Sequence, residues 1–377
     1  MPGREEKESS MRTCTLTAMV LLVGLSLPLS AWGREAGDLV ARYDALFQSA
    51  DKPIAPSDEY GGTLAWGESY LLVSLIEMAE ATGDPKYLDS FARRFDAALA
   101  LRDSALGRRD VFSHRSLPVW GSVHYSKGQY HDWLVHTGMV TYPAAEFVRT
   151  VRGKPALARY RTKADAYLRA CEEAVAAHDP EWFNGPDAGE GYYWDLYLRA
   201  HLPLNQQNAL GRTLVTLWLV TGKPAYRDKA QRLARFFKNR LRAQPDGAYD
   251  WAYWPGLFDT GKGSEDISHA AINADFAALC ARHGIVFSEE DMKRFARTFT
   301  EHIHLGDGKF ALSVGGGASA DASYASQAPR WLTLTPWDPK VWQIVSAFEE
   351  SQGGPKNLLT ISSLLTWRPR GTPTSSP

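Results

Sequence analysis

Leu214-Val-Thr-Leu-Trp-Leu-Val-Thr-Gly-Lys-Pro-Ala-Tyr-Arg-Asp-Lys-Ala-Gln-Arg-Leu-Ala-Arg-Phe-Phe237 decides the fold. Its first part is apolar nearly all round. Thr221-Gly222-Lys223-Pro224 then breaks it, and an amphipathic, charged helix follows. Glycine supplies a left-handed helix stop, and proline starts the next helix. The same punctuation stands at Thr82-Gly83-Asp84-Pro85 and Arg152-Gly153-Lys154-Pro155, with a looser form at Arg282-His283-Gly284-Ile285. The four glycines lie 70, 69 and 62 residues apart, so a two-helix unit with a long connection repeats. In each unit an all-round apolar helix precedes an amphipathic one. The apolar set includes Leu64 to Ala81, Val140 to Phe147, and Ile272 to Leu279. Helices apolar all round belong inside, and amphipathic ones outside. The expectation is an all-α fold, an α/α toroid of six or seven hairpins. Strand character is expected only at Lys309 to Val314 and Leu358 to Leu365.

Outward from the repeat, 377 residues suffice for a sizeable core. The net charge of -1 gives no global basic field for nucleic acid. Met11 to Gly33 has a basic start, an apolar run and a small-residue exit, as a secretory leader does. The expected organisation is a leader over 1–33, its true start possibly Met11, a domain over 34–366, and a disordered tail over 367–377. The apolar run is short for a membrane span, so a secreted or periplasmic protein with no membrane contact after leader removal is expected. Cys171 and Cys280 would then remain, as one disulfide or two buried thiols. Neither a metal-binding cysteine pattern nor a cofactor motif is present, and no metal or cofactor is expected.

Counted back from the terminating glycines, polar groups share one level. Trp66, His136 and Asn205 lie 17 residues before their glycine, Asp266 lies 18, Glu68 and His269 lie 15, and Asn208 lies 14. Burying polar groups is costly unless they are paired or used. Their convergence at one end of the inner helices predicts a site there. Asn208 and Arg212 share a helix face, as do Asp266, His269 and Asn273. The aromatic loop Tyr249-Asp-Trp-Ala-Tyr-Trp-Pro-Gly256 runs toward Glu265 and Asp266. With 13 tryptophans and 12 % aromatics, the chain suits a carbohydrate cleft.

Three chemistries fit these residues: β-elimination from a uronic-acid polymer, hydrolysis by paired carboxylates such as Glu68, Glu265 and Asp266, and uronate C5 epimerisation. A non-catalytic glycan-binding role is the remaining class. Elimination requires a neutralised carboxylate, a base and an acid. Asn208, Arg212 and His269 are the expected carboxylate binders, and Tyr253 the base and acid, with His136 or Tyr193 as its replacement. The loops also offer Tyr125, Tyr130 and Tyr249. Trp66, Trp251 and Trp254 are expected stacking subsites. Glu68, Glu265 and Asp266 would orient the His and Arg side chains, Asn205 and Asn273 would bind substrate, and Lys127 and Arg330 would add positive charge for an anionic polysaccharide.

The stretches Leu64-Ala-Trp-Gly-Glu-Ser-Tyr70, His136-Thr-Gly-Met-Val-Thr-Tyr-Pro143, Leu202-Pro-Leu-Asn-Gln-Gln-Asn-Ala-Leu-Gly-Arg212 and Glu265-Asp-Ile-Ser-His269 resemble bacterial α/α-toroid polysaccharide lyases active on alginate and glucuronan. More loosely, the chain resembles the helical domain of glucuronyl C5-epimerases. The resemblance spans about residues 60–300 and implies cleavage of a uronate polymer.

Overall fold

Helical segments alternate between an outer and an inner layer in a computed structural model that describes residues 29–57 and 59–369. Most of the expected leader lies outside the described residues. In chain order, α1 (Leu29–Ala50) is outer. A helical run from Tyr60 passes through a π-helical turn, Leu64–Glu68, into inner α2 (Ser69–Thr82). Outer α3 (Lys86–Ala100) precedes inner α4 (Leu134–Gly153), and outer α5 (Arg161–Ala177) precedes inner α6 (Leu204–Thr221). Outer α7 (Pro224–Lys238), inner α8 (Ile267–Arg282) and outer α9 (Glu289–Arg297) follow. The 3-10 segment Ala328–Leu334 takes the next inner place, then outer α10 (Lys340–Ser351) and inner α11 (Leu358–Thr366). Each inner element packs on the next, and α11 packs on α2, so the ring closes as an α/α toroid with six inner elements.

The punctuation works as expected at three places. Gly83, Gly222 and Gly284 have φ of 73°, 69° and 67°, the left-handed region that glycine enters without steric cost. Gly153 instead remains helical, and extended Lys154 makes the stop. Glycine has another use at Gly138 of α4. A Cβ there would lie 2.3 Å from the Leu210 backbone nitrogen, so its absence lets α4 and α6 touch backbone to backbone. On α6, Leu210, Leu214 and Leu217 are fully buried. Truncating one such leucine to alanine costs about 2–5 kcal/mol.

The expected strand at Leu358–Leu365 is helical. It is a short apolar run, for which helix and strand periodicities are hard to separate, and Asn357 caps it by accepting from Leu359 N and Thr360 N. Lys309–Phe310 does form a strand, β7, paired with β6 (His304–Gly306). The other strands have two to five residues: β1 (Trp182–Asn184), β2 (Gly191–Asp195) and β3 (Ala200–His201) form one sheet, and β4 (Arg242–Ala243) pairs with β5 (Tyr249–Asp250).

These strands reveal an asymmetry. The turns after inner helices are short, whereas the connections into inner helices, 101–133, 178–203, 239–266 and 298–327, are long. All the long ones gather at the end where the inner helices begin. Cys171 and Cys280 are free, buried thiols. In the expected tail, Trp367 packs under Arg282, whose guanidinium lies 4.8 Å from the ring centroid; residues 370–377 lie outside the described residues. No helix of the described residues is long and apolar enough to cross a membrane.

Candidate active site

The long connections and the first turns of the inner helices enclose a pocket of about 500 Å³. Trp66 and Tyr70 come from the run that becomes α2, and Trp133 and Val135 from the start of α4. Asn205 and Gln206 open α6, while Ser268 and His269 open α8. The aromatic loop contributes Tyr253 and Trp254, and the 3-10 segment with its lead-in contributes Gln327 and Arg330. The shared level counted from the sequence therefore corresponds to one mouth. Buried polar groups normally find a partner. Here Trp66 Nε1, Tyr70 Oη, Asn205 Oδ1 and Gln206 Oε1 have none, and all four residues line the pocket.

Asp266 caps α8 by accepting from Ser268 N and His269 N at 3.0 and 3.1 Å. Its other oxygen lies 2.5 Å from His269 Nδ1. Burial raises the Asp266 carboxyl, but the His269 imidazole and the two backbone N–H groups outweigh it and hold the group below its usual range. An ionised Asp266 fixes the tautomer: Nδ1 carries a proton, and Nε2 is left to accept. The Tyr253 ring meets His269 edge-on at 5.3 Å. Burial pushes the Tyr253 phenol up to about 12; Gln206 opposes this, and the Glu265 and Asp266 carboxyls add to it.

Arg330 stacks its guanidinium 4.0 Å from the centroid of Tyr70 and donates to Ser268 Oγ at 3.3 Å. No carboxylate of the described residues is paired with it. A forked, unpaired cation beside an aromatic face suits a planar anion. No carboxylate lines the pocket either.

Several expected site residues lie elsewhere. Asn208 donates to Asn273 Oδ1 at 2.7 Å, and Asn273 donates to Glu265 Oε2 at 2.6 Å. Fully buried Trp251 donates its indole N–H to the same Glu265 oxygen. Burial raises Glu265 well above the usual carboxyl range. These four residues form a hydrogen-bonded chain beneath the mouth, so Trp251 offers the pocket no open face and the Asn208 side-chain N–H is already used. Arg212 is a level deeper, held by Asp275 at 3.0 Å and lying 4.5 Å from the Tyr142 centroid. Glu68 faces outward and binds Arg94 through both oxygens at 2.6 Å; it orients a structural arginine. Tyr193 is fully buried against Trp182. His136 is fully buried behind Trp66. Burial, then the His131 and His124 charges, push it down to about 3. Exposed Lys127 is not a lining residue. Tyr130 and Tyr249 donate to Asp103 and Asp291. Trp66, Asn205, Tyr253, Trp254, His269 and Arg330 do line the pocket, as does Tyr125, and Asp266 holds His269 from behind.

Sequence reasoning gave no role to Tyr70, Trp133, Gln206 or Gln327. Tyr70 lies one turn after Trp66 and carried a usable signal. Gln327, in a non-periodic loop, carried none. Behind Trp133 lies a second cluster. His131 reaches Asp110 through Nδ1 at 2.6 Å and Asp195 through Nε2 at 2.8 Å. Burial opposes its protonation, yet the two aspartates raise it to about 9. The cluster ties the connections 101–133 and 178–203 together and supports Trp133, 4.6 Å away.

No protein-family profile matches the sequence, and no curated protein matches it. Solved structures do resemble it. A sugar epimerase from a ruminal bacterium superposes with a TM-score of 0.58 at 11% identity, over 85% of this chain and 86% of that one. The GH76A alpha-1,6-mannanase from Salegentibacter sp. HEL1_6 gives 0.54 at 10% identity, over 89% and 97%. Unsaturated glucuronyl hydrolase from Bacillus sp. GL1 gives 0.54 at 15%, over 90% and 100%. At these identities the likeness is one of fold, the α/α toroid shared by these carbohydrate-active enzymes.

Proposed function

We propose that this chain is a polysaccharide lyase that cleaves a uronic-acid polymer, alginate or glucuronan, by β-elimination. One observation carries the reading: unpaired Arg330 shares a pocket with the Asp266–His269 dyad and Tyr253. In this mechanism Arg330 binds the uronate carboxylate and withdraws charge from it, making the C5 proton acidic. His269 Nε2 removes that proton. The electron pair forms the C4–C5 double bond as the C4–O bond breaks, and the protonated Tyr253 phenol donates to the leaving oxygen. A phenol raised to about 12 keeps its proton near neutral pH and can serve as the acid. The roles thus shift from sequence expectation: His269 becomes the base, and Arg330 replaces Arg212 and Asn208 at the carboxylate. Trp66 and Trp254 offer stacking faces. The Met11–Gly33 leader supports action outside the cytoplasm.

The fold neighbours give this reading context. The glucuronyl hydrolase acts on unsaturated glucuronyl units in glycosaminoglycan degradation, so uronate chemistry has a precedent on the toroid. The epimerase neighbour favours a second reading, C5 epimerisation, which begins with the same proton abstraction. Hydrolysis by paired carboxylates is less supported, because no carboxylate lines the pocket.

The test is incubation with alginate, glucuronan, hyaluronan and neutral glucans while following the ultraviolet absorbance of unsaturated products. Absorbance should grow on a uronate polymer and not on neutral glucans. Reducing ends without it would replace elimination with hydrolysis. Solvent deuterium entering C5 without cleavage would replace it with epimerisation.

A further inference from the structure

A second, larger cavity of about 950 Å³ opens beside the first. The two share Trp66, Tyr70, Gln327 and Arg330, so they meet at the guanidinium that the proposed function uses. The far wall is built by α1, the β6–β7 turn and the segment that leads into α11. Its charges are uneven. Lys309 and Lys356 are both exposed, and neither has a carboxylate within ion-pair distance among the described residues. The single carboxylate on the wall is half-buried Glu349, which burial raises above its usual range, with Lys356 and Arg42 opposing. Moving outward from Arg330, the cleft therefore offers cations and few competing anions. The opposite end of the first pocket is open as well, at exposed Trp254 and Tyr125.

We infer that the second cavity binds the continuation of the same anionic glycan, with Lys309 and Lys356 receiving carboxylates of sugar units beyond the one at Arg330. This rests on the uronate reading of the first pocket only for the identity of the chain. The shape and charge of the second cavity argue independently for a run of several acidic sugars rather than one. The occupant is a polymer or long oligosaccharide, and affinity should grow with its length.

Calorimetric titration of the full chain with alginate and glucuronan oligosaccharides of two and six units tests this, using the His269→Gln variant so that nothing is consumed. The six-unit ligand of the preferred polymer should bind about tenfold or more tighter than the two-unit one, the sum of two modest charge contacts and added stacking. The double variant K309A/K356A should lose most of that ratio, and raising salt should narrow it in the parent protein, since exposed charge contacts are screened. Equal affinity for both lengths would overturn the inference. So would a length advantage that survives the double variant. Both outcomes are independent of the proposed reaction: a length-dependent, lysine-dependent affinity stands even where no unsaturated product forms, and such product can form with no length advantage.

Discussion

Among the histidines that meet aspartates, His131 and His269 differ in what the second ring nitrogen touches. His131 is buried and spends both nitrogens, on Asp110 and Asp195. Two carboxylates force it toward the cation, which cannot accept a proton. His269 has an aspartate on Nδ1 alone, and its side chain is 38% exposed at the mouth of a pocket. Its Nε2 is available. A His–Asp contact is thus no mark of catalysis by itself. The number of carboxylates and access to the second nitrogen separate a clamp from a ring still open to a ligand.

The comparison can be broken in steps of decreasing size. Replacing His269→Gln should lower kcat by about 100-fold to 10,000-fold, the usual value of a positioned base, while the melting temperature stays put. Retained activity would end the case for the dyad. Replacing His131→Gln should do the reverse, costing about 3–5 kcal/mol of stability by breaking a buried charged set, read by thermal or urea melts. That loss should depend on pH. With a folded pKa of about 9 against roughly 6.5 unfolded, His131 stabilises fully below about 6.5 and progressively less as pH rises through about 9. Asp110 is held low, so its share is present above about pH 4 and fades as pH falls. The gap between parent and variant should therefore be widest between about pH 4 and 6.5 and close toward 9. A pH-independent gap would mean the imidazolium contributes nothing.

Arg330→Lys should raise KM for a uronate polymer about tenfold to 100-fold, because an ammonium cannot fork onto a carboxylate or stack on Tyr70 in the same way. An unchanged KM would remove the anion anchor and leave two histidines with no substrate to contrast. The smallest effect should come from Trp254→Ala, a few-fold rise in KM from losing about 1 kcal/mol of stacking at a half-open face.

Much of the fold was legible in the chain because its punctuation is chemical. Gly83 and Gly222 need positive φ, and the helices before them are too apolar for a surface. The inner place of Ala328–Leu334 was not legible, since a proline-led 3-10 segment has no periodicity to read. The site was half legible. Counting from the glycines gave the right level on each helix, but level is not direction. Asn208 and Asn273 sit near the mouth yet point at each other across the α6–α8 contact. Arg212, one turn on from Asn208, points down the axis to Asp275. Conversely Arg330 stood in the sequence only as one spare positive charge, and its stacking on Tyr70 depends on a contact between segments 260 residues apart in the chain.

The closing ring has one more effect. Because outer helices return the chain each time, the inner helices run parallel, and α4, α6 and α8 begin together at the pocket. Each helix start carries a partial positive charge from its aligned peptide dipoles, equivalent to roughly half an elementary charge. The start of α8 is offset by its Asp266 cap, whereas those of α4 and α6 carry no side-chain cap and favour anions at the cavity. A chain of net charge -1 thus gains two anion-favouring helix ends from backbone direction, a contribution that no substitution of a surface lysine would remove.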